Sequence, residues 1–564
     1  MRHSKMQKWI KKINAQRLAA MFVVSLMLPV LVLICTEKNP FWTSVVCVMM
    51  PLGGYTLFAS LARRSGVMVW LGVPLVFFSA FQIVLSYLFG NSVVASDMFL
   101  NLLTTNPDEA SELLANIYPA VIAVVLIYVP LFWLATEHIR RRVLLRSQVR
   151  LKMAAVGSAT FMLGCLVLVY GCKRDIKHVV RDELFPINVT YNMGVAISEA
   201  RRTSHFYELS KNFQYHSQRV DAPKGREVYV LVIGEAARAA SWQMFGYERE
   251  TNPLLAKRDD LMLFRNVVTQ SNTTHKSVPM ILSSVHTSQH KELYRRSGIP
   301  ALFNEAGFTT YFMSNQSPQG AMIDNLAHDA KHVMYMDTPR LDMQLVDAMR
   351  KALAEDESEK ILFILHTYGS HFSYHQRYPR EAAYFTPDDD VAIRRKNMEM
   401  IRNAYDNSTR YTDYFLNEVI STLEGLDGVT SAMYYCADHG EDLFDGTKKR
   451  FLHASPTVTY HQLHVPSFAW FSEKYREVYN RKIVAAIENE MAPATTYSVF
   501  HTMADMANIT SPYVINEASL FNHYFDYGAV RYYLDDHNRA VKLDKEIGVD
   551  KEERAFFAQH GIEL

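Results

Sequence analysis

Cysteine is scarce in this chain. There are five in 564 residues, and four of them, Cys35, Cys47, Cys165 and Cys172, lie within or at the edge of long apolar runs. Only Cys436 falls in the more polar second half, so that half cannot rest on a disulfide framework and must be held by its own core. Cys436 itself sits in an apolar run just before Ala437-Asp438, the setting of a buried, inert thiol. An excess of either charge is missing too. Lys and Arg number 59 against 58 Asp and Glu, a net charge of +1, and the second half holds no sustained basic block, which argues against a nucleic-acid partner. Internal repeats and low-complexity tracts are absent, which excludes a solenoid or a disordered tail as the main architecture.

Apolar runs are present in quantity, and early. Those at roughly 18–35, 41–62, 66–90, 117–136 and 153–171 each approach or exceed the ~20 residues that cross a bilayer core. No small-residue cleavage site follows the first run, so it reads as a spanning helix and not a signal peptide, and five spans are expected. Basic residues set their orientation. Residues 1–17 carry Arg2, Lys5, Lys8, Lys11, Lys12 and Arg17, the link at 63–64 is Arg-Arg, and 137–152 holds Arg140, Arg141, Arg142, Arg146, Arg150 and Lys152, so these segments are cytoplasmic. The segment 91–116 has no basic residue and carries Asp97, Asp108, Glu109 and Glu112, which places it outside. An odd number of crossings puts everything after 171 outside as well, in the periplasm of a cell with an outer membrane. The expected organisation is a membrane domain over 1–171, an amphipathic interfacial linker over 172–226 and a catalytic α/β domain over 227–564. In the last of these, β-type runs near 228–234, 309–313, 360–366, 431–437 and 465–471 alternate with helical stretches near 340–354, 394–424 and 495–508, which predicts a mostly parallel central sheet flanked by helices.

Four short motifs in this domain carry potential ligands: Val-Leu-Val-Ile-Gly-Glu (230–235), Asn-Thr-Thr-His-Lys-Ser-Val-Pro (272–279), His-Thr-Tyr-Gly-Ser-His (366–371) and Ala-Asp-His-Gly-Glu (437–441). The runs 228–235 and 431–438 are apolar strands broken by an acid, the way a parallel sheet delivers ligands at its carboxyl ends. Glu235 and Asp438 would then stand side by side. With His439 and a threonine oxygen from 273–274 they would form an O,O,O,N set, suited to Zn²⁺ or Mn²⁺.

With these motifs go Phe-Gly-Tyr-Glu-Arg-Glu-Thr-Asn-Pro (245–253), Thr-x-x-Ser-Val-Pro (274–279), Gly-Ser-His (369–371), Gln-Arg-Tyr-Pro (376–379), Tyr-Asp-Asn-Ser (405–408) and Leu-His-Ala-Ser-Pro (452–456). In this order and spacing the chain resembles the membrane-bound phosphoethanolamine transferases that modify lipid A and the lipopolysaccharide core, members of the alkaline phosphatase and sulfatase superfamily. The resemblance implies Thr274 as nucleophile, with Thr273 as the alternative, and Glu235, Thr274, Asp438 and His439 as metal ligands. A divalent metal would lower the pKa of the threonine hydroxyl and so supply its activation. His371 and His453 match two further histidines of the family. One would protonate the departing glycerol oxygen and the other would stabilise phosphoryl charge, in an order the sequence leaves open. Nearby His366, His375, His461 and His464 match nothing in the family and are read as bystanders.

Asn101, Thr105 and Glu109 in the external loop match positions that in relatives approach the ethanolamine headgroup, and the resemblance implies Asn315 as a further substrate-binding position. Two departures from the family stand out. Gln319 occupies a place where relatives tend to carry a lysine, and the disulfides that staple many relatives have no cysteines here. A sulfatase activity is disfavoured, because the nucleophile box holds Thr274 and no cysteine from which formylglycine could be made. The implied enzyme moves phosphoethanolamine from phosphatidylethanolamine to a lipid A phosphate or core sugar through a phospho-threonine intermediate and releases diacylglycerol. It would be a monomer in the inner membrane with one or two Zn²⁺ ions. Alternatives are transfer of phosphoglycerol, a periplasmic glucan as acceptor, or a non-catalytic membrane sensor.

Overall fold

The structure is a computed structural model. It describes residues 14–543 apart from 38, 90–92, 105–106, 174, 222, 319–321, 339–340, 392, 447–449 and 456–457, together with 554–555 and 558–559. The chain divides into two compact units, Met1–Phe99 with Leu113–Ile197, and Leu100–Glu112 with Ser198–Leu564.

The first unit is helical. Ala15–Thr36, Phe41–Ser60, Ile117–Arg140 and Ser147–Gly171 are each long and apolar enough to cross a bilayer. The run expected as one helix over 66–90 is broken instead into Ser65–Leu71 and Val73–Phe89, bent by 59° at the break, so the count of five spans holds when the bent pair is taken as one. Two residues explain the break. Pro74 has no N–H to donate and its ring opposes the carbonyl four residues back, while Gly72 leaves room for the Phe22 ring, which would lie 2.3 Å from a Cβ at that position. Phe41–Ser60 and Ser147–Gly171 approach closely through small residues. A Cβ on Gly53 would come within 2.5 Å of the Phe161 nitrogen and 2.8 Å of the Gly157 oxygen, the kind of backbone approach that drives helix pairing in lipid. The long helix over Pro107–Arg140 starts with proline at its first position, where a missing N–H costs nothing.

The second unit is built on a seven-stranded sheet. Its strands in chain order are β1 (Glu227–Gly234), β2 (Leu261–Phe264), β3 (Thr309–Ser314), β4 (His332–Tyr335), β5 (Lys360–His366), β6 (Thr430–Ala437) and β7 (Ser467–Phe471), and they lie in the spatial order β2-β7-β6-β1-β5-β3-β4. The contiguous block β6-β1-β5-β3-β4 is parallel, and β7 alone runs against its neighbours. Every residue of β1 and β6 is buried, so both faces of the sheet are covered, as their unbroken apolar runs require. Each such Val, Leu or Ile contributes about 1.5–3 kcal/mol by leaving water. Two strands were not expected from the sequence. At β4 only alternate side chains are partly covered, and β2 is four residues long, so both are edge strands with weak patterns. The expected helices appear as Met343–Glu355, Met398–Glu424 and Tyr497–Met506. Cys436 is wholly buried in β6, and burial pushes its thiol up to about 12, which leaves it unreactive.

Candidate active site

The register of the sheet creates the site. Gly234 of β1 pairs with Ala437 of β6, so the next residues, Glu235 and Asp438, leave the sheet together at its carboxyl edge. The Asp438 nitrogen donates to the Gly234 carbonyl at 2.9 Å and fixes that exit. The loop after β5 joins it: Ser370 N–H donates to the Glu235 carbonyl at 3.0 Å. Gly369, at φ +47°, lies so close that a Cβ would sit 2.7 Å from the same carbonyl oxygen, which accounts for glycine in the Gly-Ser-His motif.

Thr274 opens the helix Thr274–Ile281, with Thr273 as its extended N-cap. Its hydroxyl Oγ1 is 3.0 Å from His439 Nε2 and 3.3 and 3.4 Å from the two oxygens of Glu235. Thr273 Oγ1 turns elsewhere, to Ser271 at 3.2 Å. His439 Nδ1 lies 3.0 Å from the Gly440 carbonyl, so the proton sits on Nδ1 and Nε2 presents its lone pair to Thr274. The helix amino end adds a partial positive charge beside that hydroxyl.

Glu235, Asp438 and His439 are fully buried, and their ligand atoms all lie within 4.8 Å of one another. Burial, then the neighbouring Asp438, pushes the Glu235 carboxyl well above its usual range; burial raises Asp438 as well and depresses the His439 imidazole. Asp438 Oδ1 accepts from the Ala236 and His439 N–H groups, at 3.1 and 2.7 Å. Its other oxygen, Oδ2, is buried with no hydrogen-bond donor among the described residues and stands 3.2 Å from His439 Nε2. Two buried carboxylates, one of them with an orphaned oxygen, and an imidazole lone pair form a donor set that fits a divalent cation of the Zn²⁺ type.

His371 and His453 border this cluster. The His453 ring lies 4.1 Å from that of His439 and 6.2 Å from that of His371, centroid to centroid. His371 Nδ1 is 2.7 Å from the Phe372 carbonyl, and burial, with Arg377 and His453, pushes it down to about 3, so it is neutral at ordinary pH. His453 Nδ1 is 2.8 Å from Glu441 Oε2, and Tyr374 donates its hydroxyl to Glu441 Oε1 at 2.7 Å.

Other expected positions fall differently. Asn315 donates its side-chain amide to Asp342 at 2.7 Å, and Asp342 in turn holds the Tyr368 and Gly369 N–H groups, so Asn315 braces the loop that carries His371. Its neighbour Gln316, which the sequence did not single out, donates to Glu235 Oε2 at 2.9 Å and lies 3.1 Å from His366 Nε2. His366 is therefore one contact removed from the ligand set. His464 bonds the Arg265 carbonyl and His375 faces Asp390 at 3.6 Å. Thr105 and Gln319 lie outside the described residues, as does the side chain of Glu109, while Asn101 is half-buried in the helix Ser96–Thr104. The motif residues Tyr247, Arg249 and Asp406 tie 245–253 to the long helix, with Tyr247 donating to Asp406 at 3.0 Å and Arg249 paired to the same carboxylate. Tyr405 donates to the Ala236 carbonyl at 2.7 Å and so steadies the turn next to Glu235.

Comparison with known proteins agrees with this architecture. The sulfatase family model matches residues 227–509. The Kdo(2)-lipid A phosphoethanolamine 7''-transferase of Escherichia coli K12 is 29% identical over 354 residues, 59% of this chain and 61% of that protein. The chain therefore spans less than two thirds of this curated relative. The full-length lipooligosaccharide phosphoethanolamine transferase A of Neisseria meningitidis shares the fold with a TM-score of 0.70 at 22% identity, over 89% of this chain and 97% of that one. The periplasmic domain of Escherichia coli EptC, solved in complex with Zn, matches with a TM-score of 0.54 at 22% identity over 59% of this chain and 96% of its own. With its family match covering the sheet, the segment 274–279 and the strand ends that carry Glu235 and Asp438, the chain belongs to the sulfatase family, and several of its relatives are named phosphoethanolamine transferases.

Proposed function

We propose that the protein transfers phosphoethanolamine from phosphatidylethanolamine to a lipopolysaccharide acceptor, a lipid A phosphate or core sugar, from the outer face of the inner membrane. One observation carries the reading: the Thr274 hydroxyl stands at a helix amino end, 3.0 Å from the lone pair of His439 and against the carboxylates that would hold a metal. Glu235, Asp438, His439 and Thr274 would hold Zn²⁺, with Mn²⁺ the alternative, and the ion would supply charge to make the hydroxyl a nucleophile at neutral pH. The zinc-bound relative EptC supports this choice.

Thr274 Oγ1 gives its proton to the Glu235 carboxylate, 3.3 Å away, and attacks the phosphorus of the donor in line. The bond from phosphorus to the glycerol oxygen breaks, and diacylglycerol leaves with a proton supplied from the histidine pair His371 and His453. An acceptor oxygen then attacks the phosphoethanolamine-threonine ester, its proton passing to the histidine pair, and Thr274 recovers its own proton from Glu235 as the ester bond breaks. The five-span domain over 1–171, the interfacial linker over 172–226 and the catalytic domain over 227–564 keep a monomeric enzyme beside two lipid substrates. Asn101, Thr105 and Glu109 would recognise the ammonium group of the donor, with Asn315 supporting the phosphate side.

The test is mass spectrometry of the full chain after incubation with phosphatidylethanolamine. A phosphoethanolamine adduct on Thr274 is expected, along with its absence in Thr274→Ala and a loss of transfer on the order of 10³-fold or more in that variant. An adduct on Thr273, or on no threonine, sinks the assignment.

A further inference from the structure

We infer that Glu441 is the positioning residue of this site, holding His453 in the tautomer that the reaction needs; the inference rests on the transferase reading above. Glu441 is fully buried just after the strand-end pair, and each of its carboxylate oxygens has one donor. A carboxylate can only accept, so the His453 nitrogen 2.8 Å from Oε2 must carry the proton, and the lone pair is left on Nε2. Tyr374, itself buried, donates to Oε1 at 2.7 Å and stops the carboxylate from rotating away. Tyr374 packs edge-on against Tyr405, at 5.0 Å between centroids, so the brace continues into the long helix that also steadies the turn after Glu235.

The three site imidazoles are thereby set alike on Nδ1 and differently in partner. His371 and His439 donate to backbone carbonyls, and only His453 donates to a carboxylate. A carboxylate behind an imidazole fixes the ring's orientation and tautomer more firmly than a neutral carbonyl does, which singles out His453 as the ring whose Nε2 is held toward the departing or entering oxygen. Glu441 need not touch the substrate for this.

The experiment uses the full chain in detergent. In chelator-treated wild-type protein labelled with ¹⁵N-histidine, long-range ¹H–¹⁵N spectra should show the His453 proton on Nδ1. Glu441→Gln should lower kcat 10- to 100-fold with KM for phosphatidylethanolamine and zinc content unchanged, and Glu441→Asp should recover part of the loss. Tyr374→Phe, which leaves the Nδ1 hydrogen bond in place, should lose less than Glu441→Gln. A His453 proton on Nε2 in the wild type would overturn the inference. So would a Glu441→Gln variant whose kcat stays within threefold, or whose loss tracks lost zinc. If the wild type transfers nothing, the functional reading fails, while the tautomer measurement still decides the role of Glu441.

Discussion

At the scale of single residues, burial competes with hydrogen bonding, and the outcome can be checked by titration. Asp413, in the helix Met398–Glu424, accepts the Leu254 and Leu255 N–H groups at 2.9 Å each, contacts that favour a carboxylate. Burial outweighs them and pushes the group up to about 6. An unfolded aspartate titrates near 3.9. Between about pH 4 and 6 the folded state therefore binds more protons than the unfolded one, and the contribution of Asp413 to stability falls as pH rises through that window and is level beyond it. An asparagine side chain does not titrate, so the Tm advantage of wild type over Asp413→Asn should be smaller at pH 7 than at pH 4. A gap that widens with pH would mean a folded pKa below the unfolded one.

At the scale of elements, the helix pair in the first unit makes a prediction from two adjacent glycines. A Cβ on Gly53 meets backbone at 2.5 Å, whereas on Gly54 the nearest atom is a Phe161 ring carbon at 3.8 Å. Gly53→Ala must push Phe41–Ser60 away from Ser147–Gly171 and should cost about 1–3 kcal/mol, while Gly54→Ala should be neutral or stabilise by roughly 0.5–1 kcal/mol through helix propensity. Thermal melts of the two variants in detergent separate these outcomes. Equal loss in both would show that the close approach does not hold the pair together.

For the whole molecule, the cysteines and the ligand cluster give opposite sensitivities. All five cysteines are free thiols, so a thiol reductant should leave the melting temperature and transfer unchanged, as differential scanning fluorimetry and activity assays would register. Chelation should act strongly. A metal that binds only the folded state stabilises by RT ln(1 + [L]/Kd), about 4 kcal/mol at a thousandfold excess over Kd, and its removal leaves Glu235 and Asp438 facing each other in a buried site. A chelator should therefore lower Tm and abolish transfer, and added zinc should restore both. Elemental analysis that found no bound metal in protein purified without chelator would remove this premise.

The sequence by itself determined the properties that repeat along the chain. Bilayer thickness sets the length of an apolar run, so the spans were legible, and strands buried on both faces must be apolar throughout, so β1, β5 and β6 could be placed within a residue or two. An acid directly after such a strand marks a ligand at a sheet edge, so the pairing of Glu235 with Asp438 is written in the sequence. Only the tertiary structure decided what depends on meetings between distant segments. The close approach of Gly72 to the ring of Phe22 joins two separate helices, and the edge strands β2 and β4 are defined by their neighbours more than by their own pattern. Gln316 reaches Glu235 across 81 residues and Tyr374 reaches Glu441 across 67, and no periodicity announces such contacts. The reason is physical: burial leaves a regular trace in sequence because it is imposed on whole faces, whereas a hydrogen bond between two loops depends on where the sheet happens to bring them.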